Sequence, residues 1–277
     1  MDETNYCAHA IEDAANVLRN VKRLYGDKWV APYKAIYAKL KGAVKFRLPD
    51  NGITLGLDPD SRLASLREFH RLPYPCVALE FRMDGVLEPG TGLCPERILL
   101  CWETGDESWP IQAQCLFRSG GKWVPYPAWV ELAAGSDDMR VSPNIPPAAI
   151  GTSIEEFRMS VARDVGGDLI PLSEFLSAIS CSNVEMVDSK PTEASNKKRA
   201  MRGKTPFFTY KTLVLKSNAT ARDTGHAGSH ASPRVHLRRG HIRRLPDKRV
   251  WVNACVVGDK SLGMVVKDYR VAAEVAP

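Results

Sequence analysis

The sequence predicts an α+β fold: N-terminal helices with an antiparallel meander sheet, then a small strand-rich basic C-terminal module. Three observations carry this reading. Apolar residues recur at helical spacing over residues 9–43. Short apolar and aromatic runs bounded by Gly, Pro or Asp fill residues 72–132. Four more such runs fill residues 207–271.

Taken in order, AHAIEDAANVLRNVKRLYG places Ile11, Ala14, Ala15, Val17, Leu18, Val21 and Leu24 on one helical stripe. Gly26-Asp27 breaks it, and Tyr33, Ile36, Tyr37 and Leu40 resume it. A turn follows at Pro49-Asp50-Asn51-Gly52. CVALEF, ERILLCWE, PIQAQCLFR and KWVPYPAWVEL read as strands, with hairpin turns at Asp84-Gly85, Gly90, Gly105 and Gly120-Gly121. No helix-length segment separates them, so they form a meander. Residues 133–150 read as a connection and residues 152–187 as mostly helical. In that stretch Ser153 and Glu156 make a capping box, and LIPLSEFLSAIS forms a second short helix that Ser173 caps. Residues 188–206 read as a flexible basic linker. FFTYKTLVLK (207–216) is a strand and 217–233 a small-residue loop. Residues 234–245, 249–257 and 262–271 are three successive strands. The predicted organisation is an α+β domain over 1–187 that binds a peptide or protein, a linker over 188–206, and a basic β-rich module over 207–277.

Composition narrows the function classes. The 277 residues are 44% hydrophobic and 25% charged, which excludes a wholly disordered chain and a coiled coil. No apolar run approaches the roughly 20 residues of a membrane-spanning helix. The start, MDETNYCAHAIEDAA, is acidic and polar, unlike a secretory signal. The seven cysteines (7, 76, 94, 101, 115, 181 and 255) include no C-x-x-C pair. They suggest neither a disulfide framework nor a zinc knuckle, and a reducing cytosol is the simplest compartment.

Charge is unevenly placed. Residues 190–250 hold 16 Lys/Arg against 3 Asp/Glu, a local balance of +13, while the rest of the chain holds 22 against 29, or −7. Clustered cations in an otherwise acidic protein point to an anionic partner, and nucleic acid leads because clustered phosphates reward clustered Lys/Arg through counterion release. The competing reading is a solvated basic linker.

The sharpest motif is Arg234-Val-His236-Leu-Arg238-Arg239-Gly240-His241-Ile-Arg243-Arg244. In an unbroken strand, Val235 and Leu237 oppose Ile242. One extra residue at Gly240, a β-bulge, brings all three inside and puts His236, Arg238, His241 and Arg243 on one face. Such a face binds phosphates, with Arg as a bidentate donor and His as a donor or stacking ring. It also has the groups for metal-independent RNA cleavage, with His236 and His241 as general base and acid. The competing reading is structural: His bonding backbone carbonyls and Arg pairing with the acidic N-terminal part. The nucleic-acid-binding set is Arg234, His236, Arg238, Arg239, His241, Arg243, Arg244 and Trp251. Trp251 is either a stacking platform or the cover of a second small core.

Four His (226, 230, 236 and 241) fall within sixteen residues, but two sit in a Gly/Ser/Ala loop with no Cys near, so no metal or cofactor is implied. Tyr269 is a second stacking candidate, within a Lys267-Asp268-Tyr269-Arg270 run that also suits a salt-bridged edge. Asp58, Asp60, Asp137 and Asp138 read as loop residues. Phosphate-loop, dinucleotide and nucleophile-elbow motifs are lacking. Trp102, Trp109, Trp123 and Trp129 cluster in the meander, either as core or as a groove or edge for an extended peptide.

The run SPRVHLRRGHIRRL, with RVWVNACVVG and GMVVKDYRV, resembles a widespread family of uncharacterised phage and prophage proteins. Its H-x-R-R-G-H core, followed by a Trp-bearing strand, resembles the C-terminal part of a type V-A anti-CRISPR inhibitor that recognises the effector's nascent polypeptide and lowers its message. The resemblance covers about 40 residues, 232–271, with a looser match at Leu72-Pro73 and Cys76-Val77. It implies a phage or mobile-element protein, cytoplasmic in a bacterial host, that interferes with expression of a defence protein. Its partners would be RNA or the ribosome and a nascent polypeptide or host defence protein, with no membrane. The departure lies in residues 1–187, whose lining need not match the inhibitor's, which opens the choice of target. A ribonuclease using His236 and His241, and a structural or regulatory phage protein, are the competing functions.

Overall fold

A computed structural model describes residues 5–68, 71–83, 93–216, 234–238, 240–252, 255–257 and 259–264. The chain divides into two compact units. The first is Met1–Ser180 with Val184–Leu215, and the second is Cys181–Asn183 with Lys216–Pro277.

The first unit is built on one mixed sheet. Its strands are β1 (Val44–Arg47), β2 (Cys76–Arg82), β3 (Leu93–Glu103), β4 (Ile111–Ser119), β5 (Lys122–Pro125), β6 (Ala128–Leu132), β7 (Met139–Pro143), β8 (Val184–Ser189) and β9 (Tyr210–Leu215). Their order is β7-β6-β4-β3-β2-β1-β9-β8, with β5 also pairing β4. The expected antiparallel meander is present from β2 to β7. Beyond it β1 runs parallel to both β2 and β9, which makes the sheet mixed. KWVPYPAWVEL is two strands, because Pro125 and Pro127 cannot donate to a ladder.

Both faces of the sheet are covered, which is why CVALEF and ERILLCWE are nearly continuous apolar runs. Val77, Leu79, Phe81, Leu99 and Cys101 pack with α4 (Ile154–Ile179) on one side. Ala78, Ile98, Leu100 and Trp102 pack on the other with α1 (Tyr6–Tyr25) and α2 (Val30–Gly42). The period-two alternation of strands thus sorts neighbouring residues into two cores. Among the described residues no helix is long and apolar enough to cross a membrane.

Two buried carboxylates hold elements that are distant in sequence. Glu80 accepts from the Tyr6 and Cys7 amides (3.2 and 2.6 Å), at the N-terminus of α1, and from the Tyr210 hydroxyl on β9. Burial pushes its pKa up, against the pull of those hydrogen bonds. Glu174, fully buried on α4, accepts from the amides of Leu55, Gly56 and Leu57 (2.7, 3.0 and 2.8 Å) and from Arg62 Nε (3.1 Å). This fixes the loop entering α3 (Pro59–Glu68), a helix capped by Asp58 in a stretch that sequence pattern alone reads as loop.

Three expectations are corrected. The two helices expected within 152–187 are one 26-residue helix, α4, which opens with the expected capping box and runs through Pro171. Burial of Leu169, Leu172, Phe175 and Leu176 outweighs the proline's local preference. The flexible linker expected over 188–206 is the end of β8 followed by α5 (Glu193–Met201), capped by Thr192. Arg199 on α5 pairs with Glu12, and Asn196 exchanges hydrogen bonds with the backbone of Phe207 (3.1 and 2.7 Å). The strand expected to open the C-terminal module at 207 is β9, a member of the first unit's sheet through its pairing with β1 and β8.

Candidate nucleic-acid interface

The second unit carries the charge. By sequence, Cys181–Asn183 and Lys216–Pro277 hold 12 Lys/Arg against 5 Asp/Glu, and the first unit holds 26 against 27. Seven of the 16 cations in the 190–250 block belong to the first unit, where Arg199 pairs with Glu12 and Lys211 with Asp188 (2.7 Å). Pairing of basic residues with acidic ones within the first unit is seen at these two positions of the block.

The motif lies on two strands. β10 (Arg234–Arg238) runs between β13 (Cys255–Val257), antiparallel to it, and β14 (Asp259–Met264), parallel to it. β11 (His241–Arg244) pairs with β12 (Arg249–Val252) in a separate antiparallel hairpin. The single strand with a bulge at Gly240 is therefore not what forms. Gly240 stands between two strands that take different partners, and the expected common face of His236, Arg238, His241 and Arg243 is divided between two sheets. Arg234, His236 and Arg238 lie on β10, and His241, Arg243 and Arg244 on β11. Arg239, His226, His230 and Tyr269 lie outside the described residues. The acid–base pair that RNA cleavage requires is drawn from two sheets, so no shared strand positions His236 and His241 against one phosphate.

The β11–β12 hairpin turns at Leu245–Lys248, closed by Leu245 N donating to Lys248 O at 2.8 Å. Register then sets His241 opposite Val252, Ile242 opposite Trp251, Arg243 opposite Val250 and Arg244 opposite Arg249. One face carries His241, Arg243, Val250 and Val252, and the other carries Ile242, Trp251, Arg244 and Arg249. Arg243 and Arg244 are exposed, His241 and Arg249 are half-buried, and Trp251 is 8% exposed. Trp251 is thus largely buried opposite Ile242, which favours the covering role over a stacking platform.

A short segment anchors this hairpin. Ser182 N donates to Arg249 O (2.8 Å), Trp251 N donates to Asn183 Oδ1 (2.9 Å), and Asn183 Nδ2 donates to Trp251 O (2.9 Å). Arg249 and Trp251 therefore turn these backbone groups away from β11. Their rungs, 244–249 and 242–251, are the non-hydrogen-bonded positions, where opposing side chains stand closest. Asn183 and Arg249 are missing from the sequence-derived set. Arg249 was legible: once Pro246-Asp247 is the turn, counting outward pairs 244 with 249. Asn183 has no local signature.

In the first unit the four tryptophans do not form one cluster. Trp123 is buried against Tyr6 of α1, with ring centres 5.3 Å apart. Trp102 and Trp129 line a cavity of about 190 Å³ with Ile36, and Lys39 Nζ lies 4.9 Å from the Trp102 ring centre. Arg140 covers Trp109 at 4.7 Å. The cavity is smaller than the roughly 300 Å³ at which ligand pockets begin. The sheet also ends in an exposed edge, with Glu185, Met186, Val187 and Asp188 of β8 open to solvent.

No protein-family profile matches the chain, and neither a curated protein nor a solved structure matches it.

Proposed function

We propose that this is a phage or mobile-element anti-defence protein that interferes with expression of a host target in the bacterial cytoplasm, binding RNA or the ribosome through its second unit and a nascent polypeptide through its first. The observation that carries the reading is the hairpin tip: Arg243 and Arg244 are exposed beside Lys248 and Arg249 in a unit with a cationic excess. Guanidinium groups so placed suit phosphate oxygens. The resemblance of residues 232–271 to the anti-CRISPR inhibitor supports the choice of partner. For the polypeptide, edge strand β8 offers the backbone for strand addition.

The test is binding of the purified full chain to a labelled single-stranded RNA across a salt series. The expected result is tight binding at low salt that falls steeply with salt. In Arg243→Ala/Arg244→Ala the log–log slope drops by about 0.7 for each phosphate that is no longer neutralised. Absence of binding at about 50 mM salt, or an unchanged slope in the variant, overturns the proposal.

A further inference from the structure

Resting on the polypeptide-binding half of the proposed function, we infer that β8 takes, by strand addition, an extended segment that is apolar on successive residues and basic at its flank. An unfinished chain exposes segments of this kind, and a folded one buries them. Among the described residues β8 pairs with β9 alone, in unbroken rungs from Val184–Leu215 to Ser189–Tyr210. Lys216 N donates to Asn183 O (2.8 Å) in the same register, so the odd-numbered residues are the ones that bond β9. Val184, Met186 and Asp188 therefore turn their N–H and C=O groups outward, on a strand without proline, lysine or bulge to blunt it. The opposite edge of the sheet, β7, ends instead in Pro143.

The side chains of this edge set the chemistry of the occupant. Met186 lies on one face of the sheet beside Leu213, its Sδ 4.0 Å from the Tyr74 hydroxyl. Val187 lies on the other face and is 46% exposed, and Val214 of β9 on that face is 44% exposed. An added strand sends successive side chains to these two faces, so it covers apolar surface with two successive apolar residues. The carboxylate of Glu185 favours a basic residue over an acidic one across the new rung. Asp188 is neutralised by Lys211 at 2.7 Å. Strands that are apolar on successive residues are buried on both faces in folded proteins, so such a segment is within reach only before its own chain folds. A second copy of the chain fits less well: the 6 residues of β8 stand against the roughly 20–30 a side of a stable interface.

The test uses the full chain and a fluorescein-labelled peptide, GKIVIVKG, read by anisotropy. The peptide is expected to bind, and an analogue N-methylated at every apolar residue to bind at least about tenfold more weakly. The acidic analogue GEIVIVEG is expected to bind about threefold more weakly. Met186→Pro removes an outward N–H that β9 does not use, so the strand and its thermal midpoint are kept while peptide affinity falls about tenfold. Binding that neither N-methylation nor Met186→Pro weakens, or that the acidic analogue matches, overturns the inference and leaves polypeptide binding by the first unit standing. A dimer in sedimentation that Met186→Pro dissolves makes a second copy the occupant and likewise overturns it. Failure of every peptide to bind at about 1 mM overturns both.

Discussion

Ile242 and Trp251 stand opposite each other across the β11–β12 hairpin, and the backbone of Trp251 bonds Asn183 on the far side of the strand. This closes one end of the hairpin face on an apolar pair and leaves the arginines to the tip. Asn183 is 9% exposed and pairs with both backbone polar groups of Trp251. In Asn183→Ala those groups lose their partners, at about 1–3 kcal/mol each if they remain dry. The expected outcome is faster hydrogen exchange across 249–252, with protection in the first unit's central strands unchanged. Equal protection in variant and wild type would show that the side chain anchors nothing.

Gly52 sits against Pro171 of α4. A Cβ on Gly52 would lie 2.3 Å from the proline ring, and its φ of +66° is one that L side chains rarely adopt. Gly52→Ala is expected to destabilise the first unit by about 2–4 kcal/mol, measured by denaturant unfolding followed through tryptophan emission. A loss under about 0.5 kcal/mol would mean that the contact is easily relaxed.

Glu174, itself fully buried, gathers three amides and Arg62 from the partly exposed loop before α3 and its first turn. Removing the carboxylate leaves these donors without an acceptor. Glu174→Ala is expected to cost about 3–5 kcal/mol and Glu174→Gln less, because one carbonyl oxygen remains. Similar losses for the two would show that charge, not hydrogen bonding, is what matters there.

Asp168 supplies a pH dependence. It accepts from Cys115 Sγ at 3.2 Å and lies 3.6 Å from Arg97 Nε. Burial pushes its carboxyl above the usual range, against the pull of Cys115 and Arg97. A carboxyl whose folded pKa is raised holds its proton better when folded. Its contribution is therefore complete at low pH and declines as pH rises from the ordinary carboxylate value of about 4 through the folded pKa. Asp168→Asn does not titrate, so the stability difference between wild type and variant is expected to shift against the wild type across that window. Parallel curves in denaturant unfolding at stepped pH would remove Asp168 as the cause.

What the sequence shows and what it hides divide along local and non-local lines. The stripe Val17, Val21 on α1 and Ile36, Leu40 on α2 is set by helical period, and both helices form where that period places them. The Ser153–Glu156 capping box is likewise local and is present. Strand partners are not local. Nothing in VKFR announces that β1 lies parallel between β2 and β9, and nothing near Pro171 announces that Gly52 leaves room for its ring. The same limit explains the motif. Alternation sorts His236 from Leu237, but whether 234–244 is one strand or two depends on β12, β13 and β14, which follow it in the chain.

The proposed function requires that the protein engage RNA in the cell through the hairpin tip. The most direct measurement is ultraviolet crosslinking in bacterial cells that express the chain, followed by sequencing of the recovered RNA, for wild type and Arg243→Ala/Arg244→Ala. The expected result is ribosomal RNA with one or a few enriched messages in the wild type, absent from the variant. RNA at background in the wild type, or equal recovery from the variant, would contradict the account.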